Sequence, residues 1–120
     1  MCNKRVFVVD DEPNIADTLG LILQSVGFVV HVFYDGLAAL EHSQHEAPDI
    51  VLSDIMMPRM DGLALATKLR EQLPECRVLL ISGNAMYTSN PDYDTFEILA
   101  KPVPPKTIIS KVIAMAAETT

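Results

Sequence analysis

The sequence predicts an α/β fold: a doubly wound, five-stranded parallel sheet with helices on both faces. Two observations lead there. Short, continuous apolar runs rich in β-branched residues recur along the chain, which suits strands covered on both faces. Between them lie stretches whose apolar residues recur at helical spacing, and that alternation makes successive strands parallel.

The elements follow in order. Val6 to Val9 is the first apolar run and ends at Asp10. Pro13 sits just inside a helix start, where its missing N–H costs nothing. Ile15, Leu19, Ile22 and Val26 recur at helical spacing, and Gly27 predicts the C-terminal stop. Phe28 to Phe33, rich in β-branched and aromatic residues, reads as the second strand. Asp35-Gly36 turns the chain into a short helix carrying Leu37 and Leu40, and Pro48 ends that connection. Ile50-Val51-Leu52 is the third strand and stops at Ser53-Asp54. The helix after Asp61-Gly62 carries Leu65 and Leu69 and ends before Pro74. Val78 to Ile81 forms the fourth strand, ending at Ser82-Gly83. The segment 84–95 is polar, contains Pro91 and predicts at most one short helix. Phe96 to Ala100 reads as the fifth strand, and Ile108, Val112 and Met115 give a final helix its buried stripe.

A length of 120 residues predicts a single domain spanning 1–120. Folding at that size hides roughly two-thirds of the unfolded surface, enough for a real core. Hydrophobic residues make up 49% and charged residues 21%, which is globular rather than disordered composition. The net charge of -7 opposes a surface built for phosphate backbones, so direct nucleic-acid binding is not expected. Cys2 and Cys76 lack metal-ligand spacing and read as reduced thiols. The N-terminus has no signal-peptide layout, and no apolar stretch approaches the ~18 residues of a membrane span. The expected compartment is the cytoplasm. His31, His42 and His45 show no partner pattern and read as ordinary surface or strand residues.

Chemistry is expected where the strands end, because doubly wound sheets bind ligands outside the carboxyl ends of their strands. The first strand ends in Asp10-Asp11-Glu12, the third in Asp54, the fourth in Ser82 and the fifth just before Lys101-Pro102. Asp10, Asp11 and Asp54 should therefore converge, facing a hydroxyl and an ammonium. Two unit charges about 4 Å apart repel by roughly 4 kcal/mol at an effective dielectric of about 20. Such carboxylates raise one another's pKa values or recruit a cation. An all-oxygen set favours a hard ion, and Mg²⁺ is the usual one in phosphoryl chemistry. A plainer reading makes Asp10-Asp11-Glu12 a helix cap suited to the dipole. It leaves Asp54, Ser82 and Lys101 at three other strand ends unexplained.

Val8-Val9-Asp10-Asp11-Glu12-Pro13 resembles the opening of the response regulator receiver domains of two-component signalling. Asp54-Ile55-Met56-Met57-Pro58-Arg59-Met60-Asp61-Gly62 is similar to the segment that follows the phosphoacceptor in that family. Ser82 stands at its Ser/Thr position and Lys101-Pro102 at its Lys-Pro position. These four elements occur in order, between Val6 and roughly Met115.

The resemblance implies a CheY-like, flavodoxin-like fold with strand order 2-1-3-4-5. It implies that Asp54 accepts a phosphoryl group from a sensor histidine kinase or histidine phosphotransfer protein, with Mg²⁺ as cofactor. Asp11, Asp54 and the backbone carbonyl of Met56 would bind the ion, and Asp10 would act through a metal-bound water. Lys101 would pair with the phosphoryl oxygens, and the Ser82 hydroxyl would bond one of them after transfer. Such a protein is a signalling switch that changes its contacts with a downstream protein target. It is not a turnover enzyme, catalysing only its own phosphotransfer and slow autodephosphorylation. A homodimer is compatible with this reading. Met57 and Met60 read as core filler, Pro58 and Gly62 as turn-shaping residues, and Lys101-Pro102 as the family's cis-peptide site.

Two features depart from the family pattern or vary within it. Ile98 stands three residues before Lys101, where receivers commonly carry Tyr or Phe, and Phe96 lies two residues earlier. Output is therefore expected to run through the final helix and the 84–95 region, without an aromatic rotamer change at position 98. Met56 cannot hydrogen-bond a hydrolytic water, which predicts a long-lived aspartyl phosphate. The alternative function is a receiver acting as a phosphorylation-independent interaction module. A haloacid dehalogenase-type phosphatase would need Asp-x-Asp-x-Thr at a strand end, and a nucleotide-binding fold a Gly-rich first turn; Asp54-Ile55-Met56 and Asp10-Asp11-Glu12-Pro13 match neither.

Overall fold

Strand and helix alternate through the described residues, 4–83 and 96–118 of a computed structural model. The strands are β1 (Arg5–Val9), β2 (Val29–Phe33), β3 (Ile50–Asp54), β4 (Arg77–Ser82) and β5 (Glu97–Ala100). The helices are α1 (Pro13–Ser25), α2 (Gly36–Ser43), α3 (Gly62–Gln72) and α4 (Pro105–Glu118). The five strands pair in parallel in the order β2-β1-β3-β4-β5, as expected. No helix among the described residues is long and apolar enough to cross a membrane.

Period-2 alternation explains why the central strands read as unbroken apolar runs. Val6 and Val8 point to one side, where they pack with Leu23 of α1, Leu52, Ile81 and the Ile108, Val112 and Met115 stripe of α4. Phe7 and Val9 point to the other, against Val51, Ala39 of α2 and Leu65 and Leu69 of α3. Both faces are covered, so every residue of β3 is buried. Each large side chain fully hidden in this way contributes about 1.5–3 kcal/mol.

Two helices bury small residues more completely than most of their large apolar ones. In α1 the fully buried line is Ala16, Gly20 and Leu23, while Ile15, Leu19 and Ile22 are half-buried and Val26 is exposed. The small residues form the line of closest approach: a Cβ on Gly20 would lie 2.6 Å from Cγ2 of Val32. Val26 is already the C-cap, and Gly27 turns the chain away with φ of 106°. In α2 the Asp35 carboxylate accepts from the Ala38 N–H at 2.8 Å and so fixes the start of the helix. That phase buries Ala39 and Ser43, leaves Leu40 half-buried and turns Leu37 to solvent.

Strand bounds shift by a residue. Phe28 is buried ahead of β2, and Phe96 precedes β5. The short helix expected within 84–95 lies outside the described residues, as does Cys2. Burial, with the Asp49 carboxylate adding to it, pushes the Cys76 thiol up to about 12, so this cysteine is a poor nucleophile.

Gly20 gives a clean test of the α1–β2 contact. Alanine normally gains about 1 kcal/mol over glycine inside a helix, but overpacking costs about 1–3 kcal/mol. Gly20→Ala is therefore expected to lower the denaturant midpoint. A variant more stable than the parent would show that the helix has room to move off the sheet.

Candidate functional site

The sheet register levels the strand ends. Val9 pairs with Ser53, Asp54 with Ile81, and Ser82 with Ala100. Asp10, Asp11, Asp54, Ser82 and Lys101 consequently open on one end of the sheet. Asp10, Asp11 and Asp54 each bring a carboxylate oxygen within 4.8 Å of the other two. Asp10 is 4% exposed and Asp54 8%, while Asp11 is more open to solvent. Lys101 arrives from the end of β5, its Nζ 3.4 Å from Oδ1 of Asp54. Its backbone N–H donates to the Ser82 carbonyl at 2.8 Å, and the Lys101–Pro102 peptide is cis. Ser82 is buried at the end of β4. The Met56 side chain is 55% exposed, so any contribution it makes to the pocket comes from its backbone.

The acids at the end of β1 supply no side-chain capping bond to α1. Glu12 is the N-cap of α1 but makes no side-chain capping bond, and Asp10 instead accepts from the Glu12 N–H at 2.9 Å. The turn after Asp54 is tightly built. Ile55 N–H donates to Ile81 at 2.9 Å, and Gly62 N–H to Ile55 at 2.8 Å. A Cβ on Gly62 would fall 2.3 Å from the Asp54 carbonyl oxygen, so only glycine lets α3 start this close to β3. Asp61 caps α3 by accepting from Ala64 N–H at 2.8 Å. Met57 and Met60 pack into the α2–α3 side of the core. Sequence spacing gave Gly62 a turn-shaping role only; its contact with the phosphoacceptor candidate's own backbone was not visible there. The Ser53 hydroxyl, which donates to the Asp54 carbonyl at 2.9 Å, also went unnoticed. Its signal was a polar residue between the apolar run and Asp54.

Burial raises the pKa of Asp54 above the ordinary carboxylate value. Lys101 opposes the rise through charge and a hydrogen bond, Asp11 adds to it and the Ile55 N–H lowers it. Burial raises Asp10 too, against the Glu12 N–H and Lys101 and with Asp54 and Asp11. Two crowded, desolvated acids and a third beside them form an oxygen-only donor set that fits a hard divalent ion such as Mg²⁺.

Phe96 does not take the place of the missing aromatic. Its ring lies under the Arg70 guanidinium at 4.1 Å, four residues before Ala100, the partner of Ser82. Ile98 pairs with Leu80 and packs beside Ile55 and Ala66.

A family model, the response regulator receiver domain, matches residues 6–113. The chain belongs to this family. Within it, the receiver is 31% identical over 115 residues to the response regulator receiver protein CpdR of Brucella abortus (strain 2308), a match covering 93% of this chain and 96% of CpdR. It is 30% identical over 115 residues to the transcriptional regulatory protein CreB of Escherichia coli (strain K12), but covers only 50% of that protein. The crystal structure of TrrA from Thermotoga maritima in complex with Mg²⁺-BeF has a TM-score of 0.85 to this receiver at 30% identity, over 93% of this chain and 98% of that one.

The raised acids carry a pH signature. A folded-state pKa above the unfolded one means that the folded chain binds the proton more tightly. The stability these groups contribute is present at low pH and lost as pH rises through that window, so ionised Asp10 and Asp54 oppose folding at neutral pH. Asp54→Asn is therefore expected to raise Tm in metal-free buffer at pH 7. The gain should shrink toward pH 4. An equal Tm for parent and variant at both pH values would count against a crowded, desolvated Asp54.

Proposed function

We propose that residues 1–120 form one phosphoacceptor receiver domain, which takes a phosphoryl group onto Asp54 and converts it into altered protein contacts. The observation that carries this reading is the buried Asp54 carboxylate, with Lys101 Nζ at 3.4 Å and oxygens of Asp10 and Asp11 within 4.8 Å. The donor is a sensor histidine kinase or a histidine phosphotransfer protein, and the receiver acts on a downstream protein target. The net charge of -7 opposes direct contact with nucleic acid.

In the transfer, an Asp54 carboxylate oxygen attacks the phosphorus of a phosphohistidine. The P–N bond breaks, and the freed imidazole nitrogen takes up a proton. A carboxylate attacks an anionic phosphoryl group only where charge is neutralised. Asp11, Asp54 and the Met56 carbonyl, with Asp10 through water, would hold Mg²⁺, which supplies part of that positive charge. Lys101 supplies the rest, moving its ammonium from the carboxylate to the phosphoryl oxygens. Ser82 then donates its hydroxyl to one of those oxygens. Ile98 offers no ring to follow that hydroxyl, so output runs through α4 and the 84–95 segment. Met56, with no polar side chain to orient water, leaves the acyl phosphate long-lived.

Incubation with Mg²⁺ and acetyl phosphate, followed by intact mass, is expected to add one phosphoryl group to the parent and none to Asp54→Asn or to the parent in chelator. Lys101→Ala should slow the gain by at least about tenfold, whereas Ile98→Ala should retain it. Met56→Asn should shorten the lifetime of the adduct. A parent that stays unmodified would favour an interaction module that works without phosphorylation.

A further inference from the structure

His31 and His42 have partners after all. His31 on β2, His42 near the end of α2 and Glu46 in the following connection meet on the α2 side of the sheet. Glu46 Oε2 lies 3.6 Å from Arg5, the first residue of β1, so this cluster sits toward the amino ends of the strands, away from Asp54. His45 remains exposed. Nε2 of His42 is 2.9 Å and Nε2 of His31 is 4.0 Å from the same oxygen, Glu46 Oε1. A helical i,i+4 ion pair accounts for His42 and Glu46. It does not account for the second imidazole nitrogen turned to that oxygen.

We propose that His31, His42 and Glu46 form a second divalent-cation site, suited to a borderline ion of the Zn²⁺ type rather than to Mg²⁺. One ligating atom from each residue lies within 4.8 Å of the other two, and the two imidazole centres are 5.2 Å apart. Two imidazoles bound at ~2.0–2.1 Å to one tetrahedral ion have ring centres about 5 Å apart. The separation of the two rings therefore matches what a shared ion needs. Aromatic walls hold them in place. Phe7 packs edge-on against both His31 and His42, at 5.7 and 5.6 Å, and Phe33 lies 5.4 Å from His42.

Ligand chemistry separates this cluster from the acidic one. Two nitrogens and one carboxylate oxygen select Zn²⁺ or its neighbours, whereas oxygens alone select Mg²⁺. Arg5 occupies Oε2 and leaves Oε1 to the imidazoles, while its charge tempers the pull on a cation. The three side chains are 30%, 36% and 45% exposed, so an ion can enter and water can complete its coordination. Bound there, the ion would tie the edge strand β2 to α2 and to the connection that follows, stabilising the folded chain by linkage.

Zn²⁺ titrated calorimetrically into the full chain, with Mg²⁺ saturating the acidic pocket, is expected to show one ion bound per chain and a rise in Tm. His42→Ala and His31→Gln should each weaken binding at least tenfold, and Asp54→Asn should leave it unchanged. His42→Ala and Glu46→Gln, both near the surface, carry the test if His31→Gln fails to fold. A parent that binds no Zn²⁺ overturns the site. So does binding that survives His42→Ala and Glu46→Gln, or that disappears with Asp54→Asn.

Discussion

Ionised carboxylates repel one another and lose hydration when buried, yet Asp10 and Asp54 lie below the surface with Asp11 alongside. Loops alone would let such groups drift apart. Here they are fixed to the ends of β1 and β3, neighbouring strands in register from Val6↔Ile50 to Val9↔Ser53. Separating them would expose Val6 to Val9 and Ile50 to Leu52, which are essentially fully buried. The hydrophobic core on both faces thus sustains an electrostatic tension at one end of the sheet. Lys101, brought up beside Asp54 by the end of β5, relieves part of it.

On the proposed function, that tension gives the site its direction of response. A cation, or a phosphoryl group that draws the ammonium to itself, interacts differently with the crowded and the relieved arrangements, and only such differences can shift a conformational balance. Asp54 and Lys101 also make backbone contacts that lead away from the pocket. The Asp54 carbonyl oxygen lies where a side chain on Gly62 would begin, at the start of α3, and the Lys101 N–H bonds the Ser82 carbonyl at the end of β4. These contacts begin a helix and join two strands, whereas Phe96, just before β5, lies under Arg70.

Strand positions and the grouping of Asp10, Asp11, Asp54 and Lys101 were legible because they depend on runs of one residue type and on what ends each run. Val6-Phe7-Val8-Val9 before Asp10, and Ile50-Val51-Leu52 before Ser53-Asp54, announce both a buried strand and the change of chemistry at its end. Parallel pairing did the rest. Helix faces were less legible because hydrophobicity marks large residues, and α1 makes its closest approach with small ones, Ala16 and Gly20. In α2 likewise, the helix capped by Asp35 turns Leu37 to solvent and buries Ala39. The His31–His42–Glu46 cluster was half visible, in the four-residue spacing of His42 and Glu46. Its third member lies on another element, and only the packing of α2 against β2 brings it in.

Titration of the individual aspartate side-chain carboxyl carbons by NMR, first without divalent ions and then with Mg²⁺, tests the crowding most directly. Asp10 and Asp54 are expected to titrate above the ordinary carboxylate range in the metal-free protein and to fall back once Mg²⁺ is added. Ordinary values for both, indifferent to Mg²⁺, would contradict the shared pocket on which the reading of this receiver rests.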